Sequence, residues 1–299
     1  MRTRSTDWTA SAAMSTFVLL WASGTIVTRW GLDHSSVFAL LIVRYGLALG
    51  ALLLINLPSR RWLPKAGTRW QVAGTGLLMI GGYSVCCFQA MAHGVTPGLL
   101  STILGVQPIL TLLVTERRFS VWRLLGLFMA LAGLVLVVYH SLILAKLSGL
   151  GVSFALSALL CVTSGAMLQK RVQQAPTEVL PLQYIVTLVL CLCFLPFEPF
   201  HIELSLQFLL PALFLGLVIS VGAQLLFYRL IRSDNLVNVT SLLYLVPVVT
   251  VVLDYLILDN SMHLLALAGM ALIILGLLLV FRKRSSQRLH PEDKLTDPL

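Results

Sequence analysis

Residues 93–113 read HGVTPGLLSTILGVQPILTLL, and residues 232–252 read RSDNLVNVTSLLYLVPVVTVV. Laid over one another at a shift of 139 positions, Ser101 meets Thr240, Pro108 meets Pro247 and Thr111 meets Thr250. Each stretch is an apolar run interrupted by a proline, which removes a backbone donor and crowds the carbonyl four residues back. Further along, Gly126 and Gly133 match Gly269 and Gly276 at a shift of 143, with the same internal spacing. Seven residues on a helix return to nearly the same face, so each glycine pair makes a smooth strip that a neighbouring helix can approach closely. The last part of each half of the chain is built on one plan.

Composition names the solvent for that plan. Of 299 residues, 58% are hydrophobic and only 11% charged, with a mean hydropathy of +0.92. Ordinary soluble domains carry roughly a quarter charged residues, so this chain cannot cover itself with a water-compatible surface. Lipid is the solvent that tolerates it, and the fold class is an all-α integral membrane protein. The five cysteines, Cys86, Cys87, Cys161, Cys191 and Cys193, all lie in apolar runs. They read as small buried hydrophobes, not as disulfides or a metal cluster.

Crossing about 30 Å of hydrocarbon takes about 20 apolar residues. Ten such runs lie near Thr9 to Thr28, Val37 to Leu57, Val72 to Ala92, Thr96 to Thr115, Trp122 to Leu144, Leu147 to Leu168, Val179 to Phe197, Leu206 to Tyr228, Leu236 to Leu258 and Met262 to Phe281. With the amino terminus in the cytoplasm, 18 of the 21 Lys and Arg residues fall on the cytoplasmic side. The opposite side holds Arg29 and Lys146, and Arg44 lies within a span. Positive charge is retained on the cytoplasmic side, so both termini are expected there. The net charge of +9 is then a rim facing lipid headgroups. Nucleic acid is not expected as a partner.

Five spans per half is an odd number, so the second copy enters the bilayer upside down relative to the first. The expected organisation is a first five-helix repeat over residues 1–144, a second over 145–283 and a cytoplasmic tail over 284–299. Inverted repeats of this kind are a recurring architecture of secondary transporters, with the substrate site near the midplane between them.

The residues that carry a family likeness are LLWASGTIVTRWGL from Leu19, LLIVRYGLAL from Leu40, SLLYLVPVVTVVLDYLILDN from Ser241 and LLALAGMALIILGLLLVF from Leu264. Over residues 12–283 the chain resembles the EamA-type permeases of the drug/metabolite transporter superfamily. That resemblance implies ten transmembrane helices in two inverted five-helix repeats. It implies a multi-pass secondary active transporter of the bacterial inner membrane, often an exporter of amino acids, other small metabolites or drugs, that works by alternating access. It also implies peripheral fifth and tenth helices, and protons as the coupling ion. The family's acidic position about twelve residues after the repeat proline is matched by Asp259, whereas Glu116 follows Pro108 by eight.

A charge at membrane depth costs on the order of 2.5 to 3.5 kcal/mol on insertion scales. Arg44, seven residues into the second span, could snorkel upward, face a central cavity and attract a carboxylate, or pair with Asp254. Trp21, Tyr83, Ser101, Gln107, Gln224 and Tyr244 lie at comparable depths in helices one, three, four, eight and nine. Polar groups converging on an otherwise apolar wall are what a small-molecule pocket requires. These seven residues are the candidate substrate-binding set, and Pro108 and Pro247 are the candidate hinges. The six histidines have no partner at metal-ligand spacing, and a Gly-rich phosphate loop ending in Lys and Ser or Thr is missing. The chain is read as a non-enzyme without cofactor or metal, whose partners are a small organic solute and the lipid bilayer. The alternatives are a nucleotide-sugar carrier of the same superfamily and a receptor or assembly subunit that transports nothing.

Overall fold

The protein is described by a computed structural model over residues 3–58, 62–116, 120–139, 148–198, 200–249, 252 and 264–281. Among the described residues ten helical segments follow one another. They are α1 (Thr3–Leu32), α2 (Val37–Asn56), α3 (Ala66–Ala92), α4 (Pro97–Leu104 and Gln107–Thr115) and α5 (Val121–Val137), then α6 (Gly149–Arg171), α7 (Pro176–Phe194), α8 (Leu206–Ser233), α9 (Leu236–Val249) and α10 (Leu264–Phe281). Six of them, α2, α3, α6, α7, α8 and α10, are long and apolar enough to cross a membrane, and α4, α5 and α9 are shorter apolar helices. The described residues contain no strand, only an isolated antiparallel bridge between Ser35 and Ile202. Asp254, Asp259, residues 140–147 and the tail lie outside the described residues.

Local chemistry starts these helices where the sequence places polar caps. Thr96, Ser148, Ser205 and Asn235 each accept a backbone N–H from the first turn of α4, α6, α8 and α9, which satisfies a donor that the helix itself leaves unpaired. The corner between α3 and α4 turns on Gly94, whose φ of +85° suits a residue without Cβ.

The helical hydrogen bonding changes just ahead of each repeat proline. Helix α4 breaks at Gly105–Val106, and Pro108 stands in the first turn of its second piece. Helix α9 tightens to a three-residue turn over Leu242–Tyr244, just ahead of Pro247. A proline is welcome in a first helical turn, where its missing donor has no role, so the backbone gives way upstream of it. Tyr244 then supplies what the break removes: its hydroxyl donates to the Gly105 carbonyl at 2.5 Å. Gly105 and Tyr244 are themselves 139 positions apart.

That self-pairing recurs through the molecule. Tyr45 and Tyr184, also matched at 139, pack ring against ring at 5.2 Å. A Cβ built on Gly76 would lie 2.6 Å from the Gln183 Cβ, and one on Gly216 would lie 3.1 Å from the Arg44 carbonyl oxygen. Gly76 and Gly216 match at 140, and Arg44 and Gln183 at 139. On α5 and α10, Gly126 faces Gly276 and Gly133 faces Gly269, each within 2.6 Å of an added Cβ. Residue i touching j′ while j touches i′ is the contact pattern of a two-fold axis. Since α5 and α10 meet antiparallel in this way, the axis runs across the helices. No side chain fits between those backbones, so the glycine strips lock the two repeats together.

Candidate functional site

Between the repeats lies a cavity of about 150 Å³. Its walls come from α1 (Trp21, Gly24, Thr28), α2 (Arg44, Tyr45), the second half of α3 (Met79 to Met91), the first piece of α4 with Gln107, the middle of α8 and α9 around its tightened turn, with single residues of α5 and α6. It occupies the middle of the bundle and the half nearer the connections at 33–36 and 93–96.

The backbone is shaped for it. Both α3 and α8 widen to π-helical turns, over Leu77–Gly82 and Phe214–Ala223, at matching places in the two repeats. Such turns recur at functional sites, and here they turn Met79, Ile80, Leu215 and Ile219 toward the cavity. Hydropathy reading does not detect them, because a π turn adds a residue to a helix without changing its apolar character.

Arg44 is on the cavity wall, and its Nε donates to Ser220 Oγ at 2.8 Å. Its guanidinium carbon stands 5.2 Å from the centroid of the Tyr45 ring, within cation–π range. The Tyr45 hydroxyl shares a 2.6 Å hydrogen bond with Ser84 Oγ. The Tyr184 hydroxyl donates to the Ser220 carbonyl, which anchors the residue that holds Arg44. Trp21 packs 5.1 Å from Phe17 and 5.2 Å from Phe227, and Phe17 stacks on Phe227 at 5.0 Å.

Of the seven residues expected to meet, the structure brings six to the cavity: Trp21, Arg44, Tyr83, Ser101, Gln107 and Gln224. Tyr244 is not among the lining residues. It is 1% exposed and its hydroxyl donates to the Gly105 carbonyl at the α4 break. Pro247 borders the cavity, while Pro108 is buried behind it. Gln107 is 1% exposed, and its Nε2 has no hydrogen-bond partner among the described residues.

The other end of the bundle is packed shut. Gln183 is fully buried; its Nε2 donates to Gln169 Oε1 at 3.0 Å, and its Oε1 accepts the Tyr228 hydroxyl at 2.7 Å. Next to this cluster, Lys170 donates to the Ile231 carbonyl at 2.5 Å and to that of Asp234. A cation on the last carbonyls of a helix is favourable by about 0.3–1 kcal/mol, and by up to ~2 when partly buried. Sequence reading missed Ser220, Gln169, Gln183, Tyr228 and Lys170. The signal for Gln183 was present: carried upstream to the second helix, the 139-residue shift places it opposite Arg44.

Glu116, the acidic residue one turn early in the sequence, pairs with Arg123 at 2.5 Å. Arg123 also donates to Asn238 Oδ1 at 2.7 Å. The group ties the end of α4 and the start of α5 to the start of α9 and stands away from the cavity.

No curated protein matches the chain. Twenty-nine chains of solved structures do. One of them, described only as "Crystal structure of protein", is similar over 91% of this chain and 96% of its own, with a TM-score of 0.77 and 19% identity. Likeness at that identity speaks for the fold. The profile of the EamA-like transporter family matches twice, over residues 8–139 and 149–282. With two matches spanning most of its length, the chain belongs to the EamA-like transporter family.

Proposed function

We propose that the protein is a secondary transporter that carries a small organic solute through the cavity between its repeats by alternating access. One observation supports this most directly: two halves of one plan are in opposite conditions. Around Arg44 the bundle is hollow; around Gln183, its repeat counterpart, it is packed. Exchanging the conditions of the two halves would carry the hollow from one face to the other. Arg29 stands where Lys170 stands in the other repeat, 141 positions earlier, and now pairs with Asp33 at 3.2 Å. In the opposite state Arg29 reaches the carbonyls ending α3, and Lys170 lets go of those ending α8.

The charge distribution supports an inner-membrane protein with both termini in the cytoplasm, and thus a cavity on the periplasmic side in this state. Export and proton coupling are carried over from the resemblance, and the boundary between repeats near residue 144 from the count of apolar runs. A nucleotide-sugar carrier is disfavoured because Arg44 is the only Lys or Arg among the described cavity-lining residues, against the two phosphates such a solute presents. Reconstitution into liposomes tests the reading. Counterflow of a radiolabelled solute from a panel of amino acids, organic acids and amines, with and without a pH gradient, is the expected result. Absence of flux for all of them while the protein remains folded would sink it, as would labelling that puts the chain ends on opposite sides.

A further inference from the structure

We infer that the solute is an organic anion, with a carboxylate seated on Arg44 and an uncharged body about the size of one aromatic ring. The inference rests on the transporter reading and narrows it to a substrate class.

Charge is the first argument. No Asp, Glu or Lys is among the described residues that line the cavity. Arg44 therefore stands there with a neutral hydroxyl, Ser220 Oγ, on its Nε, and its terminal nitrogens have no side-chain partner among the described residues. A guanidinium at membrane depth is ordinarily paired, and its planar fork matches a carboxylate in two parallel hydrogen bonds. The Ser220 bond fixes the plane of that fork, and the Tyr184 hydroxyl on the Ser220 carbonyl fixes Ser220.

The second argument is an independent orphan. Gln107, on the cavity wall and 1% exposed, has an Nε2 without an acceptor among the described residues. A buried amide donor left unpaired is costly, and a solute oxygen that reached it would relieve that cost. Arg44 and the Gln107 amide nitrogen are both donors, so an acceptor on the solute would serve both. An ammonium group would meet no carboxylate among the described lining residues, and in an apolar wall an unpaired charge is expensive. Cationic amines and zwitterions are thereby disfavoured relative to the plain acid.

Size is the third. A 150 Å³ apolar cavity holds about one benzene molecule, and the cavity here is about 150 Å³. Trp21, Phe88, Phe227 and Met79 give it an aromatic and thioether wall, suited to the faces and edges of a ring.

Benzoate, phenylalanine and benzylamine share a ring and differ in charge, so they separate the possibilities. Titration calorimetry on the intact, detergent-purified protein is expected to show saturable benzoate binding, phenylalanine at least tenfold weaker and no benzylamine binding. Arg44→Gln should weaken benzoate at least tenfold, Arg44→Lys should recover part of the loss, and Gln107→Leu should weaken it severalfold. Thermal melting of each variant separates loss of the site from loss of the fold. Benzylamine or phenylalanine binding as tightly as benzoate, unchanged benzoate affinity in folded Arg44→Gln, or no benzoate binding at millimolar concentration would overturn the inference. Liposome flux keeps the two readings apart. Flux of benzylamine leaves the carrier standing and removes the anion, whereas benzoate binding without flux of any solute does the reverse.

Discussion

Arg44 and Gln183 occupy the same position in the two repeats and have opposite fates. Each packs its backbone against a glycine of the other repeat, Arg44 against Gly216 and Gln183 against Gly76. Arg44 then borders an open space, while Gln183 is sealed between Gln169 and Tyr228. The shared backbone frame is what a two-fold plan imposes. The difference lies in side chains and in which half is presently closed. A neutral amide can be buried when both of its ends are paired; a guanidinium in the same place would lose its hydration for partners that cannot neutralise it.

The sharpest way to break this comparison is to make the two positions alike. Gln183→Arg places an unpaired cation in the packed half, and a destabilisation of about 3–5 kcal/mol is expected, seen as loss of monodisperse protein on extraction. Arg44→Gln should extract and melt like the parent, because the cavity has room for the change. Equal behaviour of the two would show that the halves do not differ as described.

Next in size is the seam between α5 and α10. Gly133→Leu drives a side chain into the Gly269 carbonyl, and overpacking of this kind costs typically about 1–3 kcal/mol. Gly46, with nothing within 4 Å of an added Cβ, is the control, and Gly46→Leu should leave the melting temperature unchanged. A tolerated Gly133→Leu would mean that the repeats are not held by backbone contact.

Loosening the closed end should be milder. Lys170→Met removes the cation from the carbonyls that end α8, an effect of up to about 2 kcal/mol. A cysteine placed at Thr163 in a cysteine-free background should then react several times faster with a thiol reagent added on the side of the termini. An unchanged rate would assign Lys170 to stability alone.

The smallest expected effect is a pH dependence at the connections. His34 Nδ1 and Glu203 Oε2 lie 2.9 Å apart, and this hydrogen bond holds the exposed Glu203 carboxyl below its usual value of 4.5. A carboxylate depressed by folding adds stability above its unfolded pKa and loses it as pH falls through the lower, folded value. Across the repeats, Gln174 makes the corresponding clasp, accepting from the Lys65 backbone and donating to Thr68. That clasp has no titrating group. Removing the first with His34→Ala should flatten the acid limb of the melting profile below about pH 4.5, while Gln174→Ala should shift the whole profile evenly. An identical response to the two would erase the distinction.

Much of the site was legible because depth along a helix follows from counting at 1.5 Å per residue. Trp21, Arg44, Tyr83, Ser101, Gln107 and Gln224 were placed at one level by that count, and all six border the cavity. Depth does not give direction. Tyr244 has the right depth but points at the Gly105 carbonyl, because the break in α4 leaves an acceptor that only the opposite repeat can reach. Ser220 was passed over for the converse reason: a serine in an apolar helix looks like filler until the π turn and Tyr184 set it beneath Arg44.

Three things were decided by the linear order of residues: the solvent, the helical class and the doubling of the plan. Lipid supplies no hydrogen bonds, so each segment must satisfy its backbone internally, and that requirement is written segment by segment. Which face of each helix meets which neighbour was left to tertiary structure. These helices are apolar on nearly every side, so no amphipathic stripe announces the inward face, and close approach is set by small residues meeting at a distance in sequence. The asymmetry between the Arg44 and Gln183 halves is likewise a property of the assembled bundle, since it depends on which end is closed and not on either repeat alone.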